Sequence, residues 1–591
     1  MLSYLTNEFI KTNFQFNSVG QILFIQKIKE LLNNNSGVSY SYKIHNAYSI
    51  LLELKSVIKD LEYGRTNGFI LEEVRKEANE IVKKDLVMPA KQNALYGTVC
   101  DEIRKGLSID KNNQSINATD MDKVHSMYSA ICNLENAYEI MDYLNDTVDM
   151  LKSAIQSDEC EKIIDLTECL VSSIIITKRS ISSVYTNVGY FFERSGKAFD
   201  DCWNQWVGNL LRIDAKYKCY FKIEDKYKEK VTETITGVEV KIMHPTENGS
   251  SLIEDENTYW EVDINAPAND HVSIVEKAFR VYKKEMGIVE FATAKVDKLD
   301  DRVIVYDEHF NKFFDLEQKT IAKNLDYKPY NQYHRNIDRV VRLFVDNLSN
   351  EIDKNKVVNA IINICNFEGE GKTYNFLLLW SSLEALFRSN QYPTAITAIK
   401  DIVPNILSHR YIYYRLYDFL KDCNNIGLNY QYQGNNVVTE NPNTEQIVLL
   451  FNILRDQSEK DVFLQVCKNS YELLYYRGIE LERILMNAKN MRQKIEKHRQ
   501  ILGYQLQRMY RIRNKFVHHS LVDENIDVLC KHIRVYMWEA IREMSYVADN
   551  RKINTLEELY AYFRMNNMMM QKMLLNANSP IDVKNISNGY L

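Results

Sequence analysis

Eight prolines and nineteen glycines are spread over 591 residues, so this chain has few of the residues that stop helices or make tight turns. A backbone so rarely interrupted is expected to form long helices joined by short polar links, giving a mainly α protein. The length exceeds what one hydrophobic core fills, and at roughly 150 residues per domain two to four units are expected. Hydrophobic residues make up 45% and charged residues 26%, which excludes a disordered chain and leaves ample material for packed cores.

The pattern along the chain divides it into four parts. Residues 1–212 contain one proline, Pro89, and read as a helical N-terminal domain suited to a sensor or regulatory role. Within it Val124, Met127, Ile131, Leu134, Tyr138, Met141, Leu144, Val148, Leu151 and Ile155 recur at steps of three and four. That spacing predicts one long amphipathic helix opening at Thr119 or Asp120, with a partner stripe at Ile163, Leu166, Leu170 and Ile174 beyond the Ser157 to Asp158 break. Residues 213–325 change character: KCYFKI, GVEVKIM, TYWEVDI, GIVEFATAKV and RVIVY are short strand-like runs around a helical stretch, His271 to Glu285. A small α/β (α+β) domain is expected there. Residues 326–576 return to helix, and 577–591 read as a disordered tail. Tyr374 to Phe387 is apolar nearly all round, the mark of a central buried helix. Asp422 to Thr444 reads as a polar inserted loop, followed by helices over Tyr475 to Val517, Glu524 to Asp549 and, rich in methionine, Leu556 to Leu575.

Ten scattered cysteines form no CxxC pair and no Cys/His ligand spacing, which predicts reduced thiols, no metal site and no cofactor. Neither a GxGxxG nor a Walker-type loop occurs. The first residues lack a basic stretch followed by an apolar one, and no run approaches the roughly 20 apolar residues of a spanning helix. A cytoplasmic protein without a membrane partner is expected. The net charge of −6 gives no general sign of nucleic-acid binding, so any such sign must be local.

One segment carries chemistry. In Met509-Tyr-Arg-Ile-Arg513-Asn514-Lys515-Phe516-Val517-His518-His519-Ser520, Arg513 and His518 enclose four residues and a polar Asn follows the Arg. This resembles the RX4–6H motif of the HEPN superfamily. Upstream, LLLWSSLEALF resembles an early helix of the Apea-like HEPN domains, and the resemblance extends over 330–549. Arg302 and His309 satisfy the looser form of the motif but stand in a strand-like run.

The resemblance implies a C-terminal all-α HEPN helical bundle that cleaves RNA without a metal, in a cleft where two HEPN domains face each other. A single motif then implies a homodimer or a dimer of dimers. Bacterial phage-defence and abortive-infection effectors are the implied type, with RNA as substrate, tRNA among the candidates, and a phage or cellular trigger. The residues suit that chemistry on their own account. A ribose 2′-OH beside a phosphodiester is a built-in nucleophile, leaving the protein to move protons and stabilise charge. His518 can act as general acid or base, Arg513 can fork onto phosphate oxygens, and Asn514 can orient either. On an ideal helix Asn514 and His518 share a face while Arg513 and His518 diverge by about 140°.

Alternatives remain at several positions. His519 can replace His518. Glu384 is either the partner of a buried Arg or a cleft residue beside Arg513, and as a carboxylate in an apolar helix it requires a nearby cation. Nine basic residues against one acidic lie between Lys489 and Lys515, so Arg508, Arg511 and Lys515 are expected to contact RNA, unless the run is a solvated helix face. Tyr430 and Tyr432 are either base-stacking or packed into their loop. Methionines 565 to 573 offer an adaptable apolar surface for core or subunit contact. The rival to a nuclease is a catalytically silent HEPN-like scaffold that binds RNA or protein.

Overall fold

The structure is a computed structural model that describes residues 5–33, 45–110, 115–177, 179–193, 196–212, 216–223, 234–235, 238–243, 258–265, 270, 273–275, 278–279, 282, 302–308, 311–317, 337–365, 372–519 and 526–575. It is mainly α-helical and forms two compact units. The larger brings Met1–Ser172 together with Tyr327–Phe367 and Lys372–Leu591, and the smaller holds Ser173–Asp326 with Glu368–Gly371. The expected N-terminal domain of 1–212 is thus divided at 172, and its greater part shares a unit with the C-terminal helices.

In the larger unit the N-terminal helices are α1 (Asn7–Phe14), α2 (Val19–Leu32), α3 (Ala47–Glu62), α4 (Gly68–Val82), α5 (Met88–Lys91), α6 (Asn93–Arg104), α7 (Ala118–Ala137), α8 (Ile140–Gln156) and α9 (Cys160–Ile176). Their starts follow from capping chemistry. Thr6, Ser18, Asn46 and Asn67 each accept a backbone N–H of the first turn, and Gln21 and Ser49 close capping boxes. The long helix expected over 119–155 is two helices. Tyr138 is extended (φ −152°, ψ 101°), its hydroxyl donates to Asp146 at 2.7 Å, and Asp142 accepts the Glu139 N–H at 3.0 Å to start α8. The predicted break at Ser157 to Asp158 is present, with Asp158 left-handed (φ 53°) and its Oδ1 accepting the Gly20 N–H at 2.6 Å. That approach requires glycine, because a Cβ at residue 20 would lie 2.4 Å from the Ile155 carbonyl oxygen.

The smaller unit holds α10 (Ile181–Val188), α11 (Phe199–Leu210) and six strands, β1 (Lys216–Ile223), β2 (Thr234–Ile235), β3 (Val238–Met243), β4 (Thr258–Asn265), β5 (Arg302–Asp307) and β6 (Lys312–Glu317). They form one sheet in the order β2-β3-β4-β1-β5-β6 with every pairing antiparallel, so among the described residues the domain is α+β. Four of the five expected strand runs fall on β1, β3, β4 and β5, while GIVEFATAKV lies outside the described residues. Phe279 and Tyr282, from the expected helical stretch, pack on Phe221 of β1 at ring distances of 5.0 and 4.4 Å.

The chain continues in the larger unit as α12 (Ile337–Asn347), α13 (Glu351–Cys365), α14 (Lys372–Phe387), α15 (Ala395–Ser408), α16 (Tyr411–Asn425), the hairpin β7 (Gln431–Tyr432) and β8 (Asn435–Asn436), then α17 (Thr444–Arg455), α18 (Gln457–Ser470), α19 (Glu472–Leu485), α20 (Ala488–His519), α21 (Ile526–Arg551) and α22 (Leu556–Met573). The helix expected over 475–517 is interrupted at Met486 and Asn487, where Asn487 Oδ1 accepts the Asn490 N–H at 2.8 Å and caps α20. One core joins Trp380, Leu383 and Phe387 of α14 to Ile402 of α15, Met509 of α20, Ile533 and Met537 of α21 and Phe563 of α22. The tail expected to be disordered, 577–591, lies outside the described residues.

Buried polar groups tie the first helices to α16, α18 and α19 in this unit. Asn7 Nδ2 donates to the Lys468 carbonyl at 2.8 Å, Gln26 Oε1 accepts the Leu473 N–H at 3.1 Å, and Arg477 is paired with both Glu30 and Asp422. A second network pins the α15–α16 corner to α21. There Arg410 is left-handed (φ 57°) and its guanidinium lies over the rings of Tyr413 and Tyr546 at 4.3 and 4.4 Å. His409 and Tyr414 both hydrogen-bond Glu543. Burial alone pushes the Glu543 carboxyl up, but His409, Arg410 and Tyr414 outweigh it and hold the group at about 2.

A carboxyl depressed by folding stabilises the protein above its unfolded pKa and loses that contribution as pH falls through the folded value. Glu543→Gln is therefore expected to cost about 3–5 kcal/mol in urea unfolding near neutral pH. The difference from wild type should shrink as pH drops from the ordinary glutamate range, 4.5, toward 2. A gap that stays constant across that window would refute the assignment.

Candidate active site

The motif lies on the last turns of α20. Arg513 is half-buried and directed at α14, where its Nη2 stands 3.6 Å from Glu384 Oε2, while its Nη1 donates to Asn514 Oδ1 at 3.0 Å. The cation that Glu384 was expected to need is therefore Arg513 itself, and both readings of Glu384 merge: it is a pairing partner and it lies beside the motif. The hydrogen bond to Asn514 and the longer ion pair with Glu384 together orient the guanidinium. His518, one turn beyond Asn514, is exposed. His519 closes α20, and its side chain lies outside the description.

Glu384 is half-buried because α14 is not enclosed all round, as its composition suggested. Phe376, Leu379, Trp380, Leu383, Leu386 and Phe387 are buried, whereas Tyr374, Ser381, Ala385 and Arg388 form an exposed stripe at steps of three to seven residues. Glu384 stands at the edge of that stripe, where α14 meets α20. Alongside, Asn363 of α13 donates to Ser382 Oγ at 2.7 Å.

The basic run of α20 has a different fate from the one expected. Arg508 is buried, with Nε 2.8 Å from Glu53 Oε2 and Nη2 2.7 Å from Glu77 Oε2. Arg511 is buried against Glu53, and His45 Nε2 reaches the same carboxylate at 2.7 Å. Lys515, half-buried, bonds Asp60 Oδ2 at 2.6 Å and Ser56 Oγ at 3.1 Å. Lys494 pairs with Glu480, Lys497 with Glu80 and Arg499 with Glu496. Hence Arg508 and Arg511 face the carboxylates of α3 and α4, and the stripe expected to meet RNA is an internal ion-pair seam. The missed partners had a signal. Glu53, Ser56 and Asp60 recur at three and four residues, as do Glu73, Glu77 and Glu80, matching the three- and four-residue steps of Arg508, Arg511 and Lys515.

Other expectations fall outside the site. Tyr430 packs on Phe463 at 4.8 Å and donates to Glu459 at 3.2 Å, and Tyr432 is buried, so the packed reading of this loop holds. Arg302 forms a bidentate pair with Asp315 across β5 and β6 at 2.8 and 2.6 Å, and His309 lies outside the described residues. The methionine stripe of α22 exposes Met565, Met568, Met569 and Met573 while burying Met570. Among the described residues no His, Cys, Asp or Glu group is arranged to hold a metal ion, and no helix is long and apolar enough to cross a membrane. Compared with protein-family models, curated proteins and solved structures, the chain matches none.

Buried charges that lose a partner are costly, so Glu53→Ala, which strips Arg508 of one partner and Arg511 of its pair, should destabilise by about 3–5 kcal/mol. The more exposed Lys515→Ala should cost about 1 kcal/mol or less. Chemical denaturation of both variants checks the contrast, and equal losses would contradict a buried seam.

Proposed function

We propose that the chain is a metal-independent endoribonuclease of the HEPN type, in which Arg513, Asn514 and His518 form one half of a two-copy site. The observation that carries this reading is the Arg513 guanidinium held between Glu384 and Asn514 one turn from an exposed His518. A guanidinium so oriented is ready for a phosphate without first having to be ordered. In the reaction the 2′-oxygen attacks phosphorus as His518 takes its proton, the bond from phosphorus to the 5′-oxygen breaks, and that oxygen receives a proton. The products are a 2′,3′-cyclic phosphate and a 5′-OH. Arg513 offsets the charge that builds on the non-bridging oxygens.

Two proton transfers on opposite sides of one phosphorus need two acid–base groups standing apart, and one copy of the motif offers only His518 and its chain neighbour His519. A second copy related by a twofold axis supplies the other. The stripe beside Glu384 supports this, because Ser381 and Ala385 are small and exposed and would let a second backbone approach closely. A toxic effector of bacterial phage defence is the setting the motif resemblance implies. The second reading, a silent scaffold, is favoured by one observation: the basic stripe leading to the motif is consumed by internal pairs.

Cleavage of total cellular RNA separates the two. Wild type should cut in the presence of EDTA and leave cyclic phosphate ends. Arg513→Ala and His518→Ala should fold normally and lose about 10²- to 10⁴-fold in rate. A folded His518→Ala protein that cuts like wild type, or strict dependence on Mg²⁺, would overturn the reading.

Assembly has its own test. Ser381→Arg, on an exposed position, should abolish dimers in mass photometry and cleavage together. A variant that remains monomeric yet fully active would refute the shared site.

A further inference from the structure

α3 and α20 run in the same direction along their seam. Glu53 meets Arg508 and Arg511, and seven residues further Asp60 meets Lys515. Three more residues along each helix, a rise of about 4.5 Å, carry the same register on to Tyr63 and His518. α3 ends at Glu62 and α20 is described as far as His519. Gly64, left-handed at φ 65°, turns the chain at the end of α3, and the Arg65 N–H donates to the Asp60 carbonyl at 2.7 Å. Tyr63 is 69% exposed, and the Arg65 guanidinium lies 4.9 Å from its ring centre. Arg65 also stands 4.0 Å from Asp60 Oδ1, the carboxylate whose other oxygen holds Lys515. A single side chain thus links this turn to the motif-bearing turn of α20.

An exposed ring backed by a guanidinium is a platform on which any unpaired base can stack, and the guanidinium beside it can meet the adjoining phosphate. The tyrosines that looked suited to that task, Tyr430 and Tyr432, are packed inward, whereas Tyr63 is exposed and stands three residues beyond Asp60, as His518 stands three beyond its partner Lys515. We propose that the turn Tyr63 to Arg65 is a binding site for single-stranded RNA, with Tyr63 stacking on a base near the cleaved linkage and Arg65 holding the neighbouring phosphate. This deepens, and rests on, the ribonuclease reading of His518. A strand laid across α3 and α20 would meet His518 with one nucleotide and Tyr63 with another. Duplex RNA, whose bases are already stacked, cannot use the platform, so the substrate class is unpaired RNA such as a loop or an end.

The test uses the full chain and a 2′-O-methylated oligouridylate, which has no free 2′-OH and so reports binding without cleavage. A blunt RNA duplex of equal length is the comparison. Tyr63→Ala should weaken binding of the single strand about 5- to 100-fold, and Tyr63→Phe, which keeps the ring, should restore it. Arg65→Ala should weaken binding and lower the salt slope by about one unit or less. Tyr190→Ala, at a comparably exposed tyrosine of the smaller unit, should change nothing. His518→Ala should lose cleavage of ordinary RNA while still preferring the single strand to the duplex. Wild type that ignores the oligouridylate, or Tyr63→Ala that binds it unchanged, overturns the platform and leaves the His518 result standing. Full cleavage by His518→Ala together with weakened binding by Tyr63→Ala overturns the role of His518 and keeps the RNA surface.

Discussion

Glu53 and Glu77 hold Arg508, and the larger unit is arranged around that attachment. A buried guanidinium is tolerable only with carboxylates in contact, so the position of α3 and α4 along α20 is set to within a turn by where Arg508 lies. Arg511 and Lys515 then extend the same register toward the end of the helix. Three consequences follow from one pairing. The first 172 residues share a unit with the C-terminal helices, the charges of Arg508, Arg511 and Lys515 are spent on partners within the protein, and the register of α3 along α20 carries on toward the motif.

Much of the fold was legible from local rules. Scarcity of proline and glycine foretold the mainly α chain, and alternating runs located four of the strands. Periodicity failed where a helix stops for only one or two residues. The stripe from Val124 to Ile155 keeps its three- and four-residue steps across Tyr138, so nothing in the apolar pattern marks the interruption, and only the Glu139 to Asp142 capping pair does. The same holds at Asn487, whose capping side chain is a single residue in a long polar helix. β6 was missed because Phe313 and Phe314 are adjacent, which breaks the alternation that betrays a half-buried strand.

The site was legible in part, and the limit has a physical cause. Arg513, Asn514 and His518 are near neighbours on one helix, so helical geometry alone describes their relation, and the demand of Glu384 for a cation was a sound guide to Arg513. The net charge of the run from Lys489 to Lys515 was not. A local sum cannot contain counter-ions that arrive from more than four hundred residues away, as Glu53, Asp60 and Glu77 do. Matching the spacing of acidic and basic stripes on separate helices is the step that would have paired them.

The parallel course of α3 and α20 has one more consequence, which concerns the peptide backbone. Each helix carries a macrodipole whose negative pole lies at its C-terminal end. Here both helices point that pole in the same direction, α3 toward Tyr63 and α20 toward His518. Nucleotide sites commonly exploit the opposite pole, where free N–H groups welcome phosphate. Toward this end the helix field repels an anion, even though the Lys59, Asp60 and Leu61 carbonyls of α3 already accept the N–H groups of Tyr63, Arg65 and Gly64. Whatever phosphate is held here must be held by side-chain cations working against their own scaffold.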